Sequence, residues 1–459
     1  MTSQSPELLL AWYGDDFTGS AAVLEVLAFA GVPAMLFLDV PTKAQLSRYS
    51  DLQAIGVAST ARAQPPEWMD AGLPSIFRSL QALNPELLHY KICSTLDSSP
   101  STGSIGRAIE IAADLFKPKS VPVLVAAPQM RRYQFFGHLF AGLGGDVFRL
   151  DRHPVMTRHP VTPMMESDVA LHICAQSPRL QAALWSLEQM AAKLPPTFDD
   201  QSSASGADSI SMLTIDCVDE RSEASAGQLL WENRSGNPFV VGSQGVEYAL
   251  VRHWINTGKL AEQAPPDGAG KSKGMVTVSG SVSPTTAGQI QWSREQGFAT
   301  IRFDVMQACG DRSLLENEIR RVVNESLAAL KAKSDPLIFT AEGPDDPNVG
   351  KFRDAVAAEA LSISDANRRI GTALGKVLHE ILKQSGVRRA VVSGGDTSGY
   401  VTRQLGIFAL SALAPTIAGA SLSRVHADGE MDGLELALKG GQMGSPDYFG
   451  WIRDGGGVR

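Results

Sequence analysis

Three strand-to-turn segments carry acids, cations, hydroxyls and glycines at spacings that suit a small anion or a reacting hydroxyl. The first is Trp12-Tyr13-Gly14-Asp15-Asp16-Phe17-Thr18-Gly19-Ser20, at the end of an apolar run and the start of a helical pattern. Its adjacent carboxylates can accept substrate hydroxyls, take up a proton or hold a metal. Thr18 and Gly19 can cap the helix or offer N–H groups to an anion. Capping by Asp16 and Thr18 alone is the competing use. The second runs from Lys91 through Cys93, Ser94, Thr95 and Asp97 to a Ser-rich loop ending at Gly106. A strand lysine followed by hydroxyls suits a carboxylate or phosphate. Arg62 stands just past another apolar run and adds a cation at a strand end. The third is Ser393-Gly394-Gly395-Asp396-Thr397-Ser398-Gly399 after a buried-strand pattern. Glycines let a backbone approach phosphates, and the following helix N-terminus favours negative charge. It lacks the spacing of a Walker A loop. Asp396 can hold Mg2+ through water or act as a base; capping of the helix by Asp396 or Thr397 is the competing use. Two further small-residue turns, Ser279–Thr286 and Lys439–Gly444, fall in the same half of the chain. Together they suggest a nucleotide cradle, with the base on apolar side chains and the phosphates on backbone N–H groups.

These segments need strands and helices to position them. Short apolar runs (8–12, 34–38, 54–58, 121–126, 169–175, 212–217, 239–242) alternate with helical patterns (20–30, 104–116, 227–233, 246–256), a βαβ rhythm that predicts a mostly parallel sheet. Residues 258–274 are rich in Gly, Pro, Lys and Ala and read as an interdomain linker. The rhythm then restarts, with strands expected at 275–279, 299–303, 336–340 and 390–393. Helices are expected at 285–296, 313–332, 364–384 and from near Ser398. A polar, Ser-rich stretch at 195–208 reads as a surface excursion. The organisation expected is thus two α/β domains, 1–257 and 275–459, joined by 258–274.

Composition narrows the function. The chain has 459 residues, a net charge of −8 and ordinary globular proportions, so nucleic acid and anionic membranes are unfavourable partners. No apolar run reaches membrane-spanning length, and the start lacks a secretory signal pattern, so a cytoplasmic protein is expected. Four widely spaced cysteines read as free thiols, and no Cys/His spacing suggests a metal site.

The ordered set of motifs resembles the four-carbon acid sugar kinase family along nearly the whole chain. Gly14–Gly19 is similar to its Gly-Asp-Asp-Phe-Thr-Gly, Lys91–Ser98 to its Lys-x-Asp-Ser-Thr-Leu-Arg-Gly, and Pro128–Arg132 to its Pro-x-x-x-Arg. Asp151 through Ser167, Gly280–Ser283, Gly394–Gly399 and Lys439–Gly444 resemble its remaining motifs. The resemblance implies ATP-dependent phosphorylation of a small sugar acid, with Mg2+ on the phosphates and an active site in a cleft between the two domains. It implies that Asp15, Arg62, Lys91, Ser94 and Thr95 face the acid, and that Ser281, Gly394, Gly395, Asp396, Thr397 and Gly441 face the nucleotide. Asp16 and Asp396 are the candidates for the catalytic base. Cys93 and Asp97 depart from the family's Asp and Arg, which favours a related acid, branched or carrying an oxo group as in 3-oxo-isoapionate, over linear tetronates. A homo-oligomer is compatible with these features. A binder that has lost turnover is the alternative class. A dinucleotide oxidoreductase is disfavoured because no G-x-G-x-x-G follows the first strand.

Overall fold

The computed structural model of the chain describes residues 7–159, 161–196, 208–264 and 266–459, so most of the polar stretch 195–208 lies outside the described residues. The chain forms two compact units, 1–264 and 265–459.

The first unit contains β1 (Leu10–Gly14), β2 (Ala34–Phe37), β3 (Ala54–Ala58), β4 (Leu87–Lys91), β5 (Val121–Leu124), β6 (Arg132–Phe135), β7 (His138–Leu143), β8 (Asp146–Arg149), β9 (Leu180–Trp185), β10 (Ile210–Ile215) and β11 (Phe239–Gly242). Eight of them run parallel in the order β2-β3-β1-β4-β11-β5-β10-β9, and β6–β8 form a separate antiparallel ribbon. Every residue of β1, β3, β4 and β5 is buried, as a sheet covered on both faces requires. From β1 the chain builds outward to one side through β2 and β3, and then returns to place β4 on the other side. The register sets Gly14 opposite Ala58 on β3 and Lys91 on β4, so three carboxyl ends finish level at this switch point, where doubly wound sheets bind ligands. Close packing fixes the level: a Cβ on Gly56 would lie 2.0 Å from the Trp12 ring. Beneath the site Tyr13, Phe77 and Tyr90 pack in stacked and edge-to-face contacts.

One expectation is overturned here. Residues 169–175 are not a strand; Val169–Cys174 is a helix. Asp168 caps it by accepting from the Leu171 N–H at 2.9 Å, and Val169 and Ile173, four apart, turn inward while Leu171 is exposed. A short apolar run fits either period, and the cap decided.

The second unit contains β12 (Val276–Ser279), β13 (Ala299–Arg302), β14 (Pro336–Phe339), β15 (Arg389–Ser393), β16 (Ile407–Ala414), β17 (Leu422–Ala427) and β18 (Glu435–Lys439). Their order is β13-β14-β12-β15-β18-β17-β16, with β17 antiparallel to both neighbours. The switch point recurs: β13 and β14 lie to one side of β12 and β15 to the other. Ser279 pairs with Ser393 and Ser393 with Lys439, so the ends of β12, β15 and β18 are level. The helix after β15 begins at Gly395, earlier than expected, and Gly394 is its N-cap with no side-chain capping bond. Asp396 and Thr397 therefore do not cap it; they lie in its first turn. No helix among the described residues is long and apolar enough to cross a membrane.

Candidate functional site

In the first unit the level strand ends bring together residues far apart in sequence. Arg62, in the turn after β3, reaches back 47 residues to grip Asp15 along its side-on edge: Nη2 donates to Oδ1 at 2.7 Å and Nε to Oδ2 at 3.2 Å. The same Nη2 donates to Asp16 Oδ1 at 2.8 Å. The Arg62 main-chain N–H donates to the Asp15 carbonyl, and the Asp15 N–H to the Lys91 carbonyl. Burial works against the Arg62 charge, but the Asp15 and Asp16 carboxylates outweigh it and hold the guanidinium well above its usual range. Asp16 also caps the helix Phe17–Phe29, accepting from Gly19 N–H at 2.9 Å. Capping and site chemistry thus coincide in Asp16, while Thr18 takes no part in the cap. Lys91 is buried, and its Nζ donates to the Ile92 carbonyl at 2.7 Å.

Gly19 is the floor of this corner. A Cβ there would lie 2.4 Å from Asp16 Oδ1, 2.7 Å from Lys91 Nζ and 3.6 Å from Arg62 Nη2. A side chain at this position would press on the Asp16 carboxylate and the Lys91 ammonium. The Ser-rich loop has a supporting role, because Gly103, at φ +60, packs against the Arg62 backbone.

Ser94 and Thr95 form a turn closed by the Leu96 N–H on the Cys93 carbonyl. Cys93 Sγ and Thr95 Oγ1 are 3.0 Å apart, and Thr95 Oγ1 donates to Asp97 Oδ1 at 2.9 Å. Burial, with Asp97 beside it, pushes the Cys93 thiol up to about 11, so it is a neutral thiol at physiological pH and no nucleophile. Ser98 ties the turn down through His172 Nε2 and the Gln176 amide, both at 2.9 Å.

In the second unit the three strand ends are laced in series. Gly280 N–H donates to the Ser393 carbonyl at 3.0 Å, and Gly394 N–H to the Lys439 carbonyl at 2.9 Å. Gly394 sits at φ +128, a conformation reserved for glycine, and leaves the N–H groups of helix Gly395–Gln404 uncapped by any side chain. Ser281, Ser283 and Thr286 close the ring. Thr286 Oγ1 donates to the Gly441 carbonyl at 2.9 Å and lies 3.1 Å from Ser281 Oγ. A Cβ on Gly280 would strike Thr397 Oγ1 at 2.2 Å, and one on Gly441 would strike Ser281 Oγ at 2.4 Å. Ser281, Gly394, Gly395, Thr397 and Gly441 thus converge on one cradle. The side chain of Asp396 lies outside the described part of the structure.

Three features were absent from the sequence reading. Lys439 is buried under the cradle, donating to Thr286 Oγ1 at 3.3 Å and to the Gly440 carbonyl at 3.1 Å. Burial lowers its ammonium to about 7. Beside Gly280 and Thr397 opens a cavity of about 210 Å³ walled by Val282, Val349, Phe352, Ile370 and Tyr400, with Asn348 and Asn367 as its amides. Arg132, the last residue of the Pro128–Arg132 motif, has a buried Nε without a partner among the described residues. A lysine before two glycines was the one available signal for the first; the cavity residues come from separate helices and carried none. Among the described residues no group of three His, Cys, Asp or Glu side chains could hold a metal.

This arrangement can bind an oxyanion at Arg62, Lys91 and Gly19, and phosphates with an attached aromatic base in the second unit. Residues 10–250 match a family model described as a sugar-binding N-terminal domain, and residues 276–449 one described as a nucleotide-binding C-terminal domain. The chain is 42% identical to a 3-oxo-isoapionate kinase of Paraburkholderia graminis over 98% of its own length and 94% of that protein. It is 28% identical to a 3-oxo-tetronate kinase of Cupriavidus necator, covering 96% and 95%. A solved Salmonella typhimurium structure superposes with a TM-score of 0.76 at 22% identity, covering 97% of this chain and 98% of that one. A Haemophilus influenzae structure gives 0.70 at 23% identity, covering 96% and 99%.

Proposed function

The chain belongs to the family built from a sugar-binding N-terminal and a nucleotide-binding C-terminal domain, and on that footing we propose how it works as an ATP-dependent kinase of a small sugar acid. The observation that carries the assignment of roles is the pair of strand-end sites, cationic in the first unit and glycine-rich in the second, each at a switch point of its own sheet. The acid's carboxylate binds at Lys91 and the Arg62 corner, with Ser94 and Thr95 as hydroxyl partners. Asp15 fixes the Arg62 fork. The ATP phosphates lie on the N–H groups around Gly394, Gly395 and Gly441, against Ser281 and Thr397, and the base occupies the cavity beside Tyr400.

Transfer forms a bond from the acceptor hydroxyl oxygen to the γ-phosphorus and breaks the bond to the bridging oxygen of ADP. The hydroxyl proton passes to a carboxylate. Catalysis of this kind is mostly positioning and charge neutralisation. Asp16 suits the base role, because only its Oδ1 is committed to Gly19 and Arg62; Asp396 is the other candidate. Asp396 would be the chain's oxygen donor to Mg2+, which would neutralise the ATP phosphates and draw its other ligands from phosphate and water. ATP as donor assigns the reaction to the cytoplasm. The acid is a branched or 3-oxo sugar acid, as the resemblance to the 3-oxo-isoapionate kinase supports.

The test is ADP release with Mg-ATP against 3-oxo-isoapionate, 3-oxo-tetronate and the linear tetronates. Turnover on an oxo acid is expected. Silence across the panel, with ATP binding intact, would mean a binder that has lost catalysis.

A further inference from the structure

His89 and Glu247 form a fully buried pair beneath the acid corner. His89 stands on β4 two residues before Lys91, so the two side chains point to the same face of the sheet. Glu247 lies in the first turn of the helix Gly245–Asn256, just past β11. Both side chains of the pair are 0% exposed. The imidazole meets an oxygen at each end: Nδ1 lies 2.6 Å from Glu247 Oε1, and Nε2 lies 3.1 Å from the Gly242 carbonyl. A carbonyl only accepts, so Nε2 carries a proton; Nδ1 then donates to the Glu247 carboxylate or accepts from its acid form. In either case the pair holds one proton more than a neutral imidazole and a carboxylate would. Glu247 Oε2 has no partner among the described residues, so this carboxyl group leans on His89. Stability alone does not call for such a pair, since apolar side chains of similar volume often serve as well.

The pair reaches the acid corner through the main chain. Gly242 is the partner of Lys91 in the register of β4 and β11. Its carbonyl accepts from the Ile92 N–H at 2.7 Å as well as from His89. The Ile92 carbonyl in turn accepts from Lys91 Nζ at 2.7 Å. Glu247, His89, Gly242, Ile92 and Lys91 thus follow one another with a hydrogen bond at each step, from the covering helix to the ammonium.

We propose that His89 and Glu247 are positioning residues: through the Gly242 carbonyl they fix the Ile92 main chain, which holds the Lys91 ammonium in place for the acid's carboxylate. Neither touches the acid or takes part in proton transfer. The proposal rests on the sugar-acid reading above and adds what sets the Lys91 corner.

The experiment compares the wild type with four variants: the apolar double variant His89→Leu/Glu247→Leu, the single changes His89→Asn and Glu247→Gln, and Lys91→Met with and without the apolar pair. Calorimetric affinity for 3-oxo-isoapionate and 3-oxo-tetronate is measured with KM and kcat. Near-UV circular dichroism and melting report folding, and a non-hydrolysable ATP analogue reports the second unit. The double variant leaves no buried charge behind and should fold. Its acid affinity should fall about threefold to tenfold, the range of one lost hydrogen-bonded support, through KM with kcat and analogue binding unchanged. His89→Asn keeps a donor for Glu247 but falls short of Gly242, and should show the same loss. Glu247→Gln, whose amide donates to Nδ1 while Nε2 keeps Gly242, should stay close to the wild type. In the Lys91→Met background the apolar pair should add nothing, because the pair acts through that ammonium. Wild-type acid affinity in a folded double variant or in folded His89→Asn overturns the proposal, and so does a loss that persists in full without Lys91. Failure of both to fold makes the pair a structural support and overturns it too. Acid binding without turnover in the wild type would sink the kinase reading, with the pair then judged on affinity alone; no acid binding in the wild type would sink the sugar-acid reading and the proposal with it.

Discussion

Replacing Lys439 by Met should make the unliganded protein more stable and its nucleotide binding weaker. The ammonium is buried beneath the cradle, hydrogen-bonded among the described residues only to Thr286 Oγ1 and a carbonyl, and burial brings its pKa from 10.5 to about 7. Bound phosphates supply the missing negative charge and favour the protonated form. If only that form binds, the apparent Kd grows as one plus ten to the power of pH minus 7. Between pH 6 and pH 8 this is about tenfold, or ~1.4 kcal/mol, and by pH 9 about a hundredfold. The assay is calorimetric titration with a non-hydrolysable ATP analogue from pH 6 to 9, wild type beside Lys439→Met. The analogue's own ionisation affects both equally, so the difference isolates the lysine. The variant should bind weakly at pH 6 and lose the pH slope. Stability carries the matching sign. A lysine with a depressed pKa binds fewer protons folded than unfolded between about pH 7 and 10.5, so stability should rise with pH across that window. In Lys439→Met this share of the rise disappears, since Met fills similar space with no charge to desolvate. Equal affinity in the two proteins, or a wild-type affinity flat from pH 6 to 8.5, would refute the reasoning.

Other outcomes follow from the same geometry. Gly19→Ala sets a methyl 2.4 Å from Asp16 Oδ1 and 2.7 Å from Lys91 Nζ; the acid KM should rise about tenfold or more while analogue binding is unchanged. Gly280→Ala meets Thr397 Oγ1 at 2.2 Å, and the reverse pattern is expected, lost nucleotide affinity with acid affinity retained. Asp396→Asn should lower kcat at least about a hundredfold with normal melting, as expected for a lost base or metal ligand; near-normal turnover would leave the base role to Asp16, whose Asp16→Asn variant should then show the larger loss. Gly56→Ala, which drives a methyl into the Trp12 ring, should destabilise the first unit by about 1–3 kcal/mol in denaturant unfolding, the cost of overpacking a core.

The sequence alone was enough to mark the strand ends that could carry chemistry. Gly14–Gly19, Lys91–Ser98, Gly280–Ser283, Gly394–Gly399 and Lys439–Gly444 all end apolar runs with small or charged residues, and strand ends in a parallel sheet are where backbone groups come free. It also determined the fold class, because both the alternation of runs and the fully apolar strands are local properties. Where the pattern was ambiguous it failed. The run at 169–175 fits a strand or a helix, and a capping bond at Asp168 with packing of Val169 and Ile173 decided for the helix. What only the tertiary structure decided is partnership. Nothing local says that Arg62 will clamp Asp15 and Asp16 or that Lys439 will lie beneath Thr286. Nor does it say that Phe352, Ile370 and Tyr400 will wall one cavity. Those pairings depend on strand order and register, which come from packing across whole sheets. A shift of one residue in register would carry the same residues to the opposite face of the sheet.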